Sequence, residues 1–408
     1  MKSELNSSTN TSNQRTIAYQ FITLMGIVSL FGDMTYEGAR SITGPYMAVL
    51  GASAGIVGFV TGVGEFIGYA LRLVTGHFAD RVRAYWFFTF VGYGLVLSIP
   101  LLGLAGYWQL AALFIILERM GKAVRTPARD AILSHATKQV GRGWGFALHE
   151  ALDQIGGIVG PLIFYVIFLL KGSYSDGFTM LWIPSLLMLG FLVIARIKVP
   201  ASEKLEIPEG AKLSGKEAKK GLPKIFWLYT TFAFLSVAGF SHFQIISYHF
   251  KTKAIIADTY IPVFYAIAMG IDGLMALITG KLYDRIGLNS LVIIPLATIP
   301  IPFLAFSHSY SFALSSMMLW GAVMGIHETI MRAAIADLTP IERRGGAYGI
   351  FNALYGAAWF IGSTAMGFLY DRSISQLIIF VVAVEIIALS SFFLLRIGKF
   401  SLGEAAGR

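Results

Sequence analysis

The sequence predicts an all-α polytopic membrane protein, with twelve transmembrane helices in two pseudo-symmetric six-helix bundles. Three features predict it: twelve long apolar stretches, one Lys/Glu-rich break at mid-chain, and a short motif repeated at the same place in each half. A helix needs about 20 apolar residues to cross the hydrocarbon core, and most of the stretches reach that length without a charge at their centres. Composition agrees: 56% of the 408 residues are hydrophobic and 13% charged, with mean hydropathy +0.68. Little surface is left to face water.

The formal charge of +9 comes without a dense basic arm, so it marks topology and no nucleic-acid partner is expected. With no cysteine, disulfides, thiolate metal sites and thiol chemistry are excluded. The opening MKSELNSSTNTSNQRT lacks the order of a cleaved signal peptide, so the first span is expected to direct its own insertion.

In order, the spans are expected at Ile17–Leu50, Ile56–Thr75, Ala84–Ala105, Trp108–His135, Trp144–Leu170 and Phe178–Ile197, then Ile225–Phe250, Tyr260–Leu282, Leu291–Phe306, Phe312–Leu338, Tyr348–Tyr370 and Gln376–Leu395. This divides the chain into an N-terminal tail (1–16), a first bundle (17–197), a linker (198–224), a second bundle (225–396) and a C-terminal tail (397–408). The linker, KVPASEKLEIPEGAKLSGKEAKKGLPK, is too polar to insert and too short for a domain of its own. One set of loops holds Arg81, Arg83, Lys138, Arg142, Lys281, Arg285, Arg343, Arg344 and the linker, against Lys171, Lys251, Lys253 and Arg372 in the other. The positive-inside rule then places both tails and the linker in the cytoplasm, in an inner or plasma membrane.

GHFADR (Gly76–Arg81) follows the second span and GKLYDR (Gly280–Arg285) the eighth. Arg125 and Asp130 in the fourth span are spaced like Arg332 and Asp337 in the tenth. Two homologous halves enclosing a central site, as in alternating-access transporters, are the economical reading.

On these residues the chain resembles the major facilitator superfamily, whose loop motif reads G-x-x-x-D-R-x-G followed by basic residues. Arg83 stands where the first copy has the final Gly, and the second copy keeps Gly287 without the basic residues. Gly156, Gly160 and Pro161 resemble the G-x-x-x-G-P core of the drug–proton antiporters, with Phe164 and Tyr165 in place of the small pair that follows. Arg119 stands where such exporters often have an intramembrane Arg. The resemblance implies a monomeric secondary transporter that exports small amphipathic molecules by proton-coupled alternating access. It also implies a cytoplasmic gate of Gly76, Asp80, Arg81, Arg125, Arg129, Gly280, Asp284 and Arg285. In that gate Asp80 acts as a latch.

Ionisable groups within spans cost about 2.5–3.5 kcal/mol each on insertion scales, so they are functional suspects. Asp33, Glu37 and Arg40 share a face of span 1 beside Tyr36. A desolvated carboxylate there takes up a proton reversibly or forms a permanent pair with Arg40. Glu118, Lys122, Arg125 and Arg129 share a face of span 4 next to Arg119, with Glu118 at mid-depth about 15 Å in. Arg125 and Arg129 are explained by snorkelling or by pairing with Asp80 and Asp130. Glu150 and Asp153 lie near the packing glycines of span 5. The proton-coupling candidates are thus Asp33, Glu37, Glu118 and Asp153. Tyr36, Arg40, Arg119, Lys122, Glu150, His242, His327, Glu328, Tyr355 and Trp359 are the cavity candidates.

A divalent-metal carrier using His327, Glu328 and nearby Met324 and Met331 is an alternative, as is an anionic-metabolite carrier; sodium coupling stays open too. A non-transporting scaffold or sensor would be expected to carry an added soluble domain. No P-loop, G-x-S-x-G elbow or dinucleotide fingerprint occurs, so neither an enzyme nor a cofactor is expected.

Overall fold

In a computed structural model of the chain, the backbone is described for residues 2–200, 221–339 and 343–406. Side chains are described for these apart from 2–14, 138, 139, 142, 143, 146, 332, 336 and 397–406. Most of the expected linker, and the side chains of Lys138, Arg142 and Arg332, therefore lie outside the described residues. Among the described residues there is no β-strand.

The first half contains α1 (Lys2–Val49), α2 (Ala54–Val82), α3 (Tyr85–Leu95), α4 (Ser98–Leu101), α5 (Trp108–Val140), α6 (Arg142–Leu169), α7 (Tyr174–Met180) and α8 (Trp182–Lys198). The second half contains α9 (Lys224–Gly239), α10 (Phe243–Thr252), α11 (Ile261–Ile286), α12 (Ile293–Thr298), α13 (Pro300–Ala305), α14 (Tyr310–Leu338), α15 (Arg344–Arg372) and α16 (Ile374–Ala406). Each expected span coincides with one helix or with consecutive short ones, and the chain is an all-helical, multi-pass membrane protein.

Eight stretches are long and apolar enough to cross a membrane; the longest, Asp258–Ala305, holds α11 to α13. The helices α5, α14 and α15 fall below that apolarity. Glu118, Arg119 and Lys122 interrupt α5, His327 and Glu328 interrupt α14, and α15 is rich in glycine.

Two expectations are corrected. GHFADR is not a loop: α2 continues through it to Val82, and the turn follows at Arg83 (φ 52°). The second copy turns at the equivalent Gly287, also at positive φ (57°) but with ψ −138°. Span 7 is not one helix either, because α9 ends at Gly239 and α10 restarts at Phe243. No proline causes that break. The Ser241 carbonyl there accepts a hydrogen bond from Trp320 Nε1 at 2.9 Å, so a buried backbone group stays satisfied.

Glycines set the closest helix approaches. A Cβ on Gly160 would lie 2.4 Å from the Met34 carbonyl, and one on Gly156 would lie 2.3 Å from that of Leu30. This brings α6 against α1 beside Asp33 and Gly38, the small-residue packing expected in a bilayer. The halves meet along α2–α15, α6–α11 and α1–α10. At the end away from the D-R motifs this seam is tight: a Cβ on Gly44 would sit 2.2 Å from the Gln244 carbonyl, and Tyr174 donates to Asp258 across it at 2.6 Å.

Candidate functional site

A cavity of about 150 Å³ lies between the halves, walled by α1, α2, α5 and α6 on one side and α11 and α14 on the other. On α5, Glu118 and Arg125 are buried, and the cavity-lining residues beyond them reach solvent, with side chains 16% exposed at Arg129 and 46% at Asp130. The cavity therefore opens toward the end that carries the D-R motifs.

Helical spacing on α1 and α5 turns their charged faces inward. Arg40 pairs with Glu37 at 3.1 Å and with Glu65 of α2. Arg119 bridges Glu65 and Glu118, each at 3.3 Å, and His242 Nε2 stands 3.8 Å from Glu65. Tyr265 of α11 donates to Glu37 at 2.5 Å, joining this chain of charges to the second half. A buried ion needs a partner, and these alternate in sign for that reason.

A second cluster lies nearer the open end. Arg129 contacts Asp130 at 3.0 Å and Asp153 at 3.9 Å, and donates to Ser29 at 3.2 Å. Ser29 also meets His149 Nε2 at 2.9 Å. Asp33 lines the cavity between the clusters, within electrostatic reach of Asp153, Lys122 and Glu37. No Lys, Arg or His nitrogen lies within 4.0 Å of it among the described residues.

Lys122 and Arg125 are held differently. Lys122 Nζ lies 4.6 Å from the centre of the Tyr36 ring and 3.5 Å from its hydroxyl. The Arg125 guanidinium lies 5.2 Å from the Tyr36 ring and 4.8 Å from that of Tyr93. Facing them across the space, Phe243, Trp320, Met324 and Trp359 form an apolar wall, and Tyr69 and Arg72 of α2 line the same pocket from the first half's side.

Of the cavity candidates, Tyr36, Arg40, Lys122, Glu150 and Glu328 line the main space, and His242 and Trp359 line a pocket adjoining it. Arg119 sits behind Glu65, and His327 lies with Tyr355 in a smaller side pocket with its ring against Phe240. Of the proton-coupling candidates, Glu37 and Glu118 are engaged in ion pairs, whereas Asp33 is not.

Of the pairings expected at the gate, Arg129 makes the one to Asp130 and Arg125 does not make the one to Asp80. Arg125 is buried among aromatic rings. Asp80 instead accepts from Tyr85 at 3.1 Å, within its own half. Arg129 lines the cavity, while Arg81, Asp284 and Arg285 are exposed beyond it. Gly76 packs under Pro127 and Gly280 beside Thr329.

Spacing alone did not reveal Trp320, Ser29 or Glu385. Glu385 is fully buried on α16 against Gly239, at the break in span 7. As a lone charge in an apolar run it was nevertheless visible in the sequence. The donor cluster of the metal alternative also moves: His149, Glu150 and Asp153 bring ligand atoms within 4.8 Å of one another. Arg129, 3.9 Å from Asp153, opposes a cation there.

An uncharacterized protein of Mycobacterium tuberculosis, Rv2265, is 42% identical over 385 residues, covering 94% of both chains. An uncharacterized MFS-type transporter of Methanocaldococcus jannaschii, MJ1317, is 28% identical over 383 residues, covering 91% of this chain and 93% of its own. The crystal structure of a peptide transporter, POT, in complex with sulfate superposes with a TM-score of 0.72 at 14% identity, over 96% of this chain and 99% of that one. The signature of the Major Facilitator Superfamily matches residues 22–363 and 273–404. The twofold helical architecture, the cavity between the halves and these matches together show that the chain belongs to the Major Facilitator Superfamily of membrane transporters.

Proposed function

We propose that the protein is a proton-coupled secondary transporter, carrying small molecules with polar and apolar parts by alternating exposure of the central cavity. One observation carries the reading: Asp33 faces the cavity with no cation at salt-bridge distance, while nearly every other carboxylate of the first half's inner wall is paired. A carboxylate left that way in a low-dielectric site exchanges a proton at little cost, and Asp153 beside it favours sharing one charge between the two.

Glu37, Arg40, Glu65, Arg119 and Glu118 form the fixed frame. Because Tyr265 ties that frame to α11, a change at Asp33 reaches the seam along which the halves rock. The motif-bearing end faces the cytoplasm in this reading, as its basic residues favour. The halves of one chain enclose the site, so no second copy is required.

Flux into proteoliposomes under an imposed pH gradient tests the proposal. Gradient-driven accumulation of a substrate, abolished by dissipating the gradient, is the expected result. Accumulation driven only by sodium, or equilibration indifferent to both ions, overturns proton coupling.

A further inference from the structure

We infer that the cavity takes small organic anions, seating an oxyanion head on Lys122 and Arg125 and an apolar body against Trp320 and Met324. The inference rests on the transporter reading and names its substrate class.

The cations around the cavity are not equivalent. Arg40, Arg119 and Arg129 each lie within 4.0 Å of at least one carboxylate. Neither Lys122 nor Arg125 has a carboxylate within 4.0 Å among the described residues. Arg125 is 2% exposed, and its Nε and Nη1 have no hydrogen-bond partner; Arg40 Nε and Arg119 Nη1 also lack one, but those two guanidinium groups are neutralised by carboxylates and that of Arg125 is not.

Aromatic rings position these two cations. A ring face attracts a guanidinium or ammonium through its quadrupole. It leaves unspent the N–H donors in the guanidinium plane, which fit a carboxylate or phosphate in fork geometry. Carboxylates such as Asp33 and Asp153 line the same cavity, but among the described residues none is in salt-bridge contact with these two cations, which the rings hold in place. Buried donors left unpaired are costly, and an incoming oxyanion removes that cost with charge-assisted hydrogen bonds.

Lys122 and Arg125 are one turn apart on α5, both against Tyr36, so one oxyanion group can reach both. Arg119, beside them in sequence, is spent on Glu65 and Glu118. The opposite wall selects the rest of the molecule. Trp320 and Met324 line both the main cavity and the adjoining pocket, so the apolar body and the anionic head occupy connected space.

The test uses full-length protein in detergent, with quenching of its tryptophan fluorescence as the binding signal. The probes are benzoate and phenyl phosphate, with benzamide as the neutral isostere and benzylamine as the cationic one. At least one anion should bind at millimolar or lower concentration, about tenfold or more tighter than benzamide and benzylamine. Which anion binds better identifies the head as carboxylate or phosphate. Lys122→Gln and Arg125→Gln should each weaken the anion about tenfold, while Lys253→Gln, exposed at the other end, leaves it unchanged.

Equal binding of benzoate and benzamide, preference for benzylamine, or no binding by either anion overturns the inference. These comparisons need only the wild-type protein, so a variant that fails to fold does not rescue the idea. An anion that binds but is not driven by a pH gradient would uphold this site and defeat proton coupling. Gradient-driven flux of an amine would do the reverse.

Discussion

Asp371, at the end of α15, accepts hydrogen bonds from the backbone N–H groups of Ala54 and Gly55, at 3.0 and 2.7 Å, and so caps α2 from the opposite half. This contact exists only while the halves are closed at the end away from the D-R motifs. Losing a cap costs about 0.5–2 kcal/mol, enough to shift a two-state equilibrium by about twofold to thirtyfold. Asp371→Ala is expected to populate a conformer open at that end. The absence of native cysteine makes this measurable with spin labels at Val49→Cys and Lys253→Cys. An unchanged distance distribution would show that the cap does not bias the rocking equilibrium.

Asp33→Asn is expected to abolish pH-driven uphill transport while sparing counterflow, because neutral Asn imitates the protonated acid. An anion on Lys122 repels an ionised Asp33, so wild-type binding of an organic anion should tighten as pH falls, and the variant should lose that dependence. The groups facing Asp33 are Lys122 on α5, Asp153 on α6, and Tyr36 and Glu37 on its own helix. Full gradient-driven accumulation by Asp33→Asn would transfer the role to Asp153.

The D-R motifs are expected to act on switching. Asp80→Asn and Asp284→Asn should slow turnover several-fold without changing equilibrium affinity, since both carboxylates lie outside the cavity. The effect should be larger for Asp80, whose partner Tyr85 ties α2 to α3. Weakened binding at unchanged turnover would instead assign them to the substrate site.

The turns after the two motifs differ in strain. Arg83 has φ 52° and ψ 28°, a left-handed conformation that costs a non-glycine residue about 1–2 kcal/mol, whereas Gly287 has φ 57° and ψ −138°, a region essentially restricted to glycine. Arg83→Gly should therefore raise thermal stability by up to about 1 kcal/mol, after the extra freedom of the unfolded chain is subtracted. Gly287→Ala should lower it by about 1–3 kcal/mol. Melting curves of the purified variants decide, and a stabilising Gly287→Ala would contradict this geometry.

The α1–α6 contact yields a paired comparison. Gly160→Ala places a methyl 2.4 Å from the Met34 carbonyl, whereas Gly157→Ala meets its nearest atom, Met269 Cε, at 3.5 Å. The first should destabilise by about 1–3 kcal/mol and the second should not. Equal melting temperatures would mean that α6 is free to move away from α1.

Hydropathy and the repeated motif were enough to predict the order of the helices, the fold family and the inward-facing charges of span 1, because insertion cost and helical period are local properties. The break at Phe240–His242 was hidden because no proline or polar run marks it; a contact from Trp320, far along the chain, satisfies the freed carbonyl. Span 4 displayed its basic face openly, yet its members were interchangeable in one dimension. Only the packed structure separates Arg119, neutralised by Glu65 and Glu118, from Arg125, held by Tyr36 and Tyr93 with donors to spare. A residue's type determines that it carries charge, and its spacing determines the face on which it stands. Whether that charge is spent depends on partners from other helices, and these come within reach only when α1, α2, α3 and α5 pack together.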